Sequence, residues 1–235
     1  MKTKLLSAIA VLGFTMMSMT PTSTPEAGQT IAMVSVYCSK KVDMSDFTGN
    51  MIGAINALAN SEDFRIEPFV DELHKKITGT YMENIDFDFM PEAEVLGHAG
   101  YDETLNDGAL ISGEWMIRPE GYQSVHAQSK KAQRAALEAF PEVDGIMMVG
   151  IDYKLVKMVE ALGFGTAKVQ ANVHLKIVDR KAKKMLNVLV SQKSDGKIKF
   201  ALGGVFDTKE LMPLIKDATE NALVRMDEKI IRKQK

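Results

Sequence analysis

The residues that could bind a metal ion or move a proton are scattered along the chain. The four histidines, His74, His98, His126 and His174, form no HExxH or other paired spacing that would place two imidazoles on one ion. His174 falls on the polar side of an alternating strand pattern. We therefore expect the histidines to be surface residues rather than metal ligands.

Two acidic residues have a spacing that could do chemistry. Asp86 and Asp88 alternate with Ile85, Phe87 and Phe89, so a strand would place both carboxylates on one face. There they could hold a cation or act as an acid/base pair. No nucleophile accompanies them in the sequence, and the pattern is equally typical of a strand with one solvated face. We expect a solvated face and no metal or catalytic site at these residues.

The glycine motifs do not complete a phosphate-binding loop. Gly163-Phe164-Gly165 has GxG spacing, but it leads into a strand pattern rather than into a helix whose first amides could bind an anion. It is predicted to be a tight turn. Gly203-Gly204 precedes the last helical pattern, but no Lys-Ser/Thr pair follows it, and no GxSxG elbow is present. The sequence therefore predicts no catalytic residue, no metal ligand and no cofactor-binding residue.

The single cysteine excludes an internal disulfide. Cys38 ends the apolar run of residues 31–38, and a cysteine in such a run is more often a buried small hydrophobe than a reactive thiol. Stability must then come from a hydrophobic core, which about 200 residues are enough to build. Sixteen methionines match the combined count of Phe, Tyr and Trp, and Met147, Met148 and Met158 are predicted to fill that core.

Composition narrows the class of protein. The 235 residues include 29 basic and 31 acidic side chains, and 46% of them are hydrophobic. That content is too apolar for a disordered chain. A net charge of -2 provides no basic field to neutralise phosphates, so nucleic acid is not an expected partner.

The first residues have the layout of a secretory signal peptide. Lys2 and Lys4 precede a mostly apolar stretch at residues 5–19, and a segment rich in Thr, Pro and Ser follows. This stretch of 15 residues is shorter than the roughly 18 to 20 that cross a bilayer. We predict a signal peptide at residues 1–27, with a cut after Ala27 as one candidate. The mature chain is then exported to the periplasm or outside the cell, soluble and not membrane-spanning.

Hydrophobic periodicity predicts the elements of the mature chain. Strict alternation at residues 166–177, followed by a charged connection at 179–184 and renewed alternation at 186–190, predicts a β-hairpin. The other predicted elements are strands at 31–38, 85–89 and 146–155, helices at 68–81 and 129–140 and from Asp207 onward, and short helical turns at 51–59 and 92–96. Residues 97–128 have no usable pattern.

The main elements follow the order β-α-β-α-β-β-β-α. This predicts the α+β class: one domain at 28–235, with a mixed sheet of about five strands and helices packed on it.

Four segments carry a family resemblance: residues 31–36, residues 144–150 leading into 165–169, and the hairpin connection at 178–181. In this order they resemble envelope domains of the curli-secretion lipoprotein, the penicillin-binding-protein activator lipoproteins and the amino-terminal domain of the Tol-system periplasmic protein. The resemblance implies a non-enzymatic accessory domain of a bacterial envelope that binds other proteins. The chain lacks an acylated cysteine directly after its apolar run, so the resemblance does not extend to membrane attachment.

Three functions are compatible with these features. The first is an exported, non-enzymatic accessory protein that binds another envelope protein. The second is a small-ligand or lipid carrier whose cavity is lined by methionines, Phe87 and Phe89. The third is an enzyme of unrecognised type, which would require scattered acids and histidines to converge in a cleft. The partner surface predicted for the first function is the polar row of the long hairpin: Lys168, Gln170, Asn172 and His174. Neither the partner's identity nor the oligomeric state is predicted.

Overall fold

The structure, a computed structural model, describes residues 28–47, 65–101, 115–201 and 207–233. The predicted signal peptide, the predicted helical turn at 51–59 and Gly203-Gly204 lie outside these residues. The elements, in chain order, are β1 (Thr30–Asp43), α1 (Glu67–Lys76) with a π-helical continuation (Ile77–Tyr81), β2 (Asp88–Phe89), α2 (Glu92–Leu96), β3 (Met116–Ile117), α3 (Lys130–Ala139), β4 (Gly145–Ala161), β5 (Phe164–Asp179), β6 (Lys184–Lys193), β7 (Ile198–Phe200), a 3-10 turn (Thr208–Glu210) and α4 (Leu211–Lys233). The protein belongs to the predicted α+β class, with the predicted order of main elements.

One mixed sheet contains seven strands of the described chain. Its path is β2-β1-β4-β5-β6, while β3 pairs with β1 and β7 pairs with β5. Strand β1 is parallel to β2 and β4, and the remaining pairs are antiparallel. The two longest strands, β4 and β5, form a ribbon that is paired from Gly145 opposite Asp179 to Ala161 opposite Phe164. The ribbon organises the sheet because every other strand except β2 and β3 pairs directly with it.

One face of the sheet is covered by helices. Strand β5 alternates as predicted, and its apolar side chains at positions 167 to 177 are fully buried. They belong to the same hydrophobic cluster as the inner sides of α1 and α4. The buried stripe of α1 and its continuation is Val70, Leu73, Ile77 and Tyr81. The inner stripe of α4 is also buried: Leu211, Ile215, Ala218, Ala222 and Met226. We call this side the helix-covered face.

The opposite face is covered only in part. A second hydrophobic cluster joins α3 and the segment after Tyr122 to β1 and the beginning of β4. Backbone-directed bonds hold this layer in place: the Tyr101 hydroxyl donates to the Val34 carbonyl at 2.7 Å, and the Val125 amide donates to Ser35 Oγ at 2.9 Å. Ser35 lies at a bulge of β1 and is fully buried, so this bond satisfies its hydroxyl. The described parts of 97–128 therefore serve as a cover for the sheet.

Two local predictions were wrong. The strand expected at 85–89 is reduced to Asp88 and Phe89, since β2 pairs with β1 only through these two residues. Met158 was expected in the core together with Met147 and Met148, which are fully buried, but it is 41% exposed. The β4–β5 register shifts between the two neighbours of Met158. This bulge interrupts the alternation of buried and exposed residues and turns the Met158 side chain toward solvent.

Candidate functional site

The polar row of β5 lies on the side of the sheet opposite α4. Lys168, Gln170, Asn172 and His174 are all half-buried. Sequence alternation predicted a solvated row, and the structure places it between the neighbouring strands β4 and β6, whose side chains shield it in part. Leu189, which pairs with His174, is 56% exposed. This part of the sheet, which we call the polar face, is therefore only partly covered by the described elements.

Hydrogen bonds within β5 and between β5 and β6 order the polar face. Gln170 Nε2 donates to Asn172 Oδ1 at 2.9 Å, and Ser191 Oγ donates to the same oxygen at 2.7 Å. His174 Nε2 shares a 2.6 Å hydrogen bond with Asn187 Oδ1. These bonds restrict side-chain rotamers before any partner arrives, which lowers the entropic cost of binding.

Lys176 marks the end of the polar face. It continues the row by alternation, but its Nζ donates to the Ala127 carbonyl at 2.9 Å, beneath the layer that covers β1 and β4. Burial and the nearby Lys130 and Lys184 lower the pKa of the Lys176 ammonium. The open surface therefore runs from His174 toward the turn that joins β4 to β5.

Sequence patterns missed a set of titratable side chains beside the row. Asp152 of β4 lies opposite Asn172, and desolvation by surrounding atoms raises the pKa of its carboxyl, although the residue is exposed. The nearby histidines His126 and His174 lower the pKa of that carboxyl, but less than desolvation raises it. The His126 ring stacks with Tyr37, with 6.4 Å between centroids. Only the register between distant segments brings these groups together, and no local pattern records that register.

Gly150 makes room for the aromatic member of this set. It pairs with Tyr37 on one side and His174 on the other. A Cβ atom at position 150 would overlap with the Tyr37 ring. Glycine therefore lets the ring lie across the sheet, and burial there raises the pKa of the Tyr37 hydroxyl.

The other residues considered for chemistry do not form a site. His74 Nε2 lies 3.1 Å from Glu92 Oε1, and His98 Nε2 lies 3.2 Å from Glu142 Oε1. All four histidines are half-buried, which corrects the expectation of simple surface residues. Among the described residues, no group of three or more His, Cys, Asp and Glu side chains could hold a metal ion. Asp86 and Asp88 are exposed, as expected.

Cys38 has the environment of a core residue. Its side chain is fully buried, and burial raises the pKa of the thiol to about 12. Because the thiolate is the reactive form, this cysteine is inert at neutral pH.

Two concavities lie beyond the polar face. A cleft of about 230 Å³ is mainly apolar, and its walls include Met33, Met82, Phe89, Met90 and Val95. Phe87, which was predicted to line a carrier cavity together with Phe89, is not part of this cleft. A wider groove of about 520 Å³ lies between the π-helical turn and α4, and its walls include the charged residues Lys76, Glu220, Asp227 and Glu228. In the described chain, no helix is long and apolar enough to span a membrane.

Comparisons with known proteins give weak likenesses. No protein-family model matches the chain, and no curated protein matches it. A hypothetical protein from Chlamydia trachomatis is similar in structure, with a TM-score of 0.34 and 8% identity over 88% of this chain and 95% of that one. A lipoprotein from Neisseria meningitidis has a TM-score of 0.28 and 10% identity over 84% of this chain and 99% of that one. Both TM-scores are low, so neither likeness indicates a function for this chain.

Proposed function

We propose that the chain is an exported, non-enzymatic accessory protein that binds another envelope protein through the polar face. The observation that carries this proposal is a partly exposed region of the sheet whose side chains are already ordered by hydrogen bonds. The residues assigned to the contact are Lys168, Gln170, Asn172 and His174. Export rests on the predicted signal peptide at residues 1–27.

The chemistry of the row favours a polar, hydrogen-bonding partner. Lys168 has no hydrogen-bond or ion-pair partner among the described residues, so its three N–H groups are available to an acceptor. The adjacent Asp152 carboxylate is exposed and supplies an acceptor on the next strand. A partner segment that presents both donors and acceptors would match this surface.

A carrier of small ligands or lipids is the second candidate, since the methionine-lined cleft supports it. Met33, Met82, Met90 and Phe89 provide the adaptable apolar wall that this function needs. At about 230 Å³, however, the cleft is smaller than the roughly 300 to 1,000 Å³ of typical ligand sites. The adaptor is therefore the better-supported function.

Capture from the native envelope fraction tests the adaptor. Lys168→Glu combined with Gln170→Glu reverses the charge of the row and places the carboxylate at position 170 opposite Lys154 and Lys193, while Asn172 Oδ1 keeps its bond from Ser191 Oγ. We expect the wild-type chain to recover a partner and the double variant to lose it, with both melting at the same temperature. Lys75→Glu, on the exposed side of α1, is the control and should recover as much as the wild type.

Equal recovery by the double variant and the wild type would remove the polar face as the contact surface. The carrier would be supported instead if the wild-type chain recovered a small apolar molecule. Replacing Val95 in the cleft wall by a larger residue should then abolish that recovery.

A further inference from the structure

The turn that joins β4 to β5 concentrates exposed apolar side chains. Seven large hydrophobic residues of the described chain are exposed, and four of them lie within residues 158–164. Of these four, Leu162 is 96% exposed, Val159 65% and Phe164 61%. Clusters of this kind mark binding sites more often than isolated apolar residues do. We call residues 158–164 the ribbon tip.

The backbone of the ribbon tip makes its sequence unusual. Strands β4 and β5 remain paired as far as Ala161 opposite Phe164, so Leu162 and Gly163 form a two-residue turn. The φ angle is 51° at Leu162 and 81° at Gly163. Turns of this kind favour Asn, Asp or Gly at both positions, because other side chains are strained at positive φ. Leu162 therefore has an unfavourable backbone conformation and almost complete hydration. Folding alone gives no reason for leucine at this position.

Positive charge surrounds the apolar tip. Strand β7 pairs with β5 directly beside it, through Gly165 opposite Phe200 and Thr166 opposite Lys199. Residues 157–168 and 197–200 contain four lysines and one glutamate, a net charge of +3 in a chain whose net charge is -2. Lys157 forms an ion pair with that glutamate, Glu160, and residues 157–168 and 197–200 of the described chain contain no other acid to balance Lys168, Lys197 and Lys199.

We propose that the ribbon tip binds an anionic lipid surface by inserting Leu162 and Phe164. A convex two-residue turn buries little area against a flat protein, whereas a lipid interface deforms around it. Lysines behind an apolar anchor are attracted to anionic headgroups at the depth where the anchor enters the acyl boundary. Lys168 adds charge to both surfaces, but the inserted side chains, Leu162 and Phe164, lie outside the polar face, so either proposal can fail without the other.

A fluorophore at the turn tests the insertion directly. Leu162→Cys is labelled in the full chain with an environment-sensitive probe, and buried Cys38 does not compete for the label. The probes are vesicles of phosphatidylglycerol with phosphatidylcholine, and vesicles of phosphatidylcholine alone. We expect a blue shift of emission with the anionic vesicles that is much weaker with the neutral ones. Leu189→Cys, exposed on β6, carries the control label and should show no shift.

Two further variants separate the contributions. Lys197→Glu with Lys199→Glu should weaken binding to anionic vesicles at least about tenfold, with the difference vanishing at high salt. Leu162→Asn with Phe164→Ser should weaken it by a similar factor without lowering the melting temperature, since asparagine suits positive φ and both side chains are exposed.

Three results would overturn the proposal. Emission at position 162 could stay unchanged while the protein sediments with vesicles, which would place contact elsewhere in the chain. A shift that depends on protein concentration without vesicles would assign the tip to a second copy of the chain. A shift produced by a protein partner but by neither vesicle would assign it to a protein pocket.

Discussion

At the scale of single residues, the burial of β5 makes Val173 a sensitive position. Its side chain is fully buried on the helix-covered face, and it pairs with Ile151 and Val190 on the two flanking strands. Val173→Asp would place a carboxylate where none of these neighbours can solvate it. We expect the free energy of unfolding to fall by about 3 to 5 kcal/mol in urea titration.

Lys168→Asp, on the same strand but on the polar face, is the matched control. Its side chain is half-buried and has no ion-pair partner in the described chain, so a loss below about 1 kcal/mol is expected. Equal losses at both positions would contradict the assignment of the two faces.

The buried thiol of Cys38 gives a prediction for alkaline pH. Burial raises its pKa from 9.0 to about 12, so between these values the unfolded chain releases a proton that the folded chain keeps. The contribution of this group to stability is complete below pH 9 and is lost as the pH rises toward 12. Cys38→Ala should therefore have a shallower decline in stability over this interval than the wild type.

A thiol reagent at pH 8 measures the same burial. We expect labelling of Cys38 in denaturant and almost none in the native protein. Rapid native labelling would show that the thiol is accessible.

At the scale of elements, the Gly163-Phe164-Gly165 motif has two different structural causes. Gly163 supplies a positive φ of 81° in the turn. Gly165 allows close packing: a Cβ atom there would overlap with the Val159 carbonyl and the Phe200 ring. That ring packs edge-on against Phe47, with 5.0 Å between centroids. The spacing that resembles a phosphate loop is explained by folding alone.

Gly165→Ala should accordingly destabilise the ribbon. Backbone and an aromatic ring must both move to admit the methyl group, which costs about 1 to 3 kcal/mol in urea titration. Gly79→Ala is the control, since nothing lies within 4 Å of its added methyl group and alanine favours helical backbone. A neutral Gly165→Ala variant would show that the ribbon is looser at this point.

Some elements could be predicted from sequence because their signals are local. The alternation of residues 166–177 and the stripe of Val70, Leu73 and Ile77 each depend on one element facing one core. The cover formed by the segment after Tyr122 has no such signal, since single bonds such as Val125 to Ser35 hold it in place. The row on β5 was predictable, whereas its neighbours Asp152 and His126 depend on strand order and on register across 20 residues or more.

At the scale of the whole molecule, the two hydrophobic clusters on opposite sides of the sheet differ in extent. The cluster of the helix-covered face includes β1, β4, β5, β6, α1 and α4, whereas the other joins α3 and its cover to fewer strands. Strand β5 is bonded on both sides, to β4 and to β6. Amide hydrogen exchange should therefore be slowest in the middle of β4 and β5 and faster in α3, which can open locally.

Arg180 connects the smaller layer to the ribbon and tests this hierarchy. Its Nη1 donates to the Leu137 carbonyl at 2.8 Å and to the Phe140 carbonyl at 2.6 Å, at the end of α3 where helical carbonyls lack partners. Arg180→Met removes these charged bonds, each worth about 1.5 to 3 kcal/mol. We expect exchange in α3 to accelerate at least about tenfold while the slowest amides of β5 keep their rates. Equal acceleration in both would mean that the layers unfold as one unit, because the loss of one anchor would then lower the stability of the entire sheet.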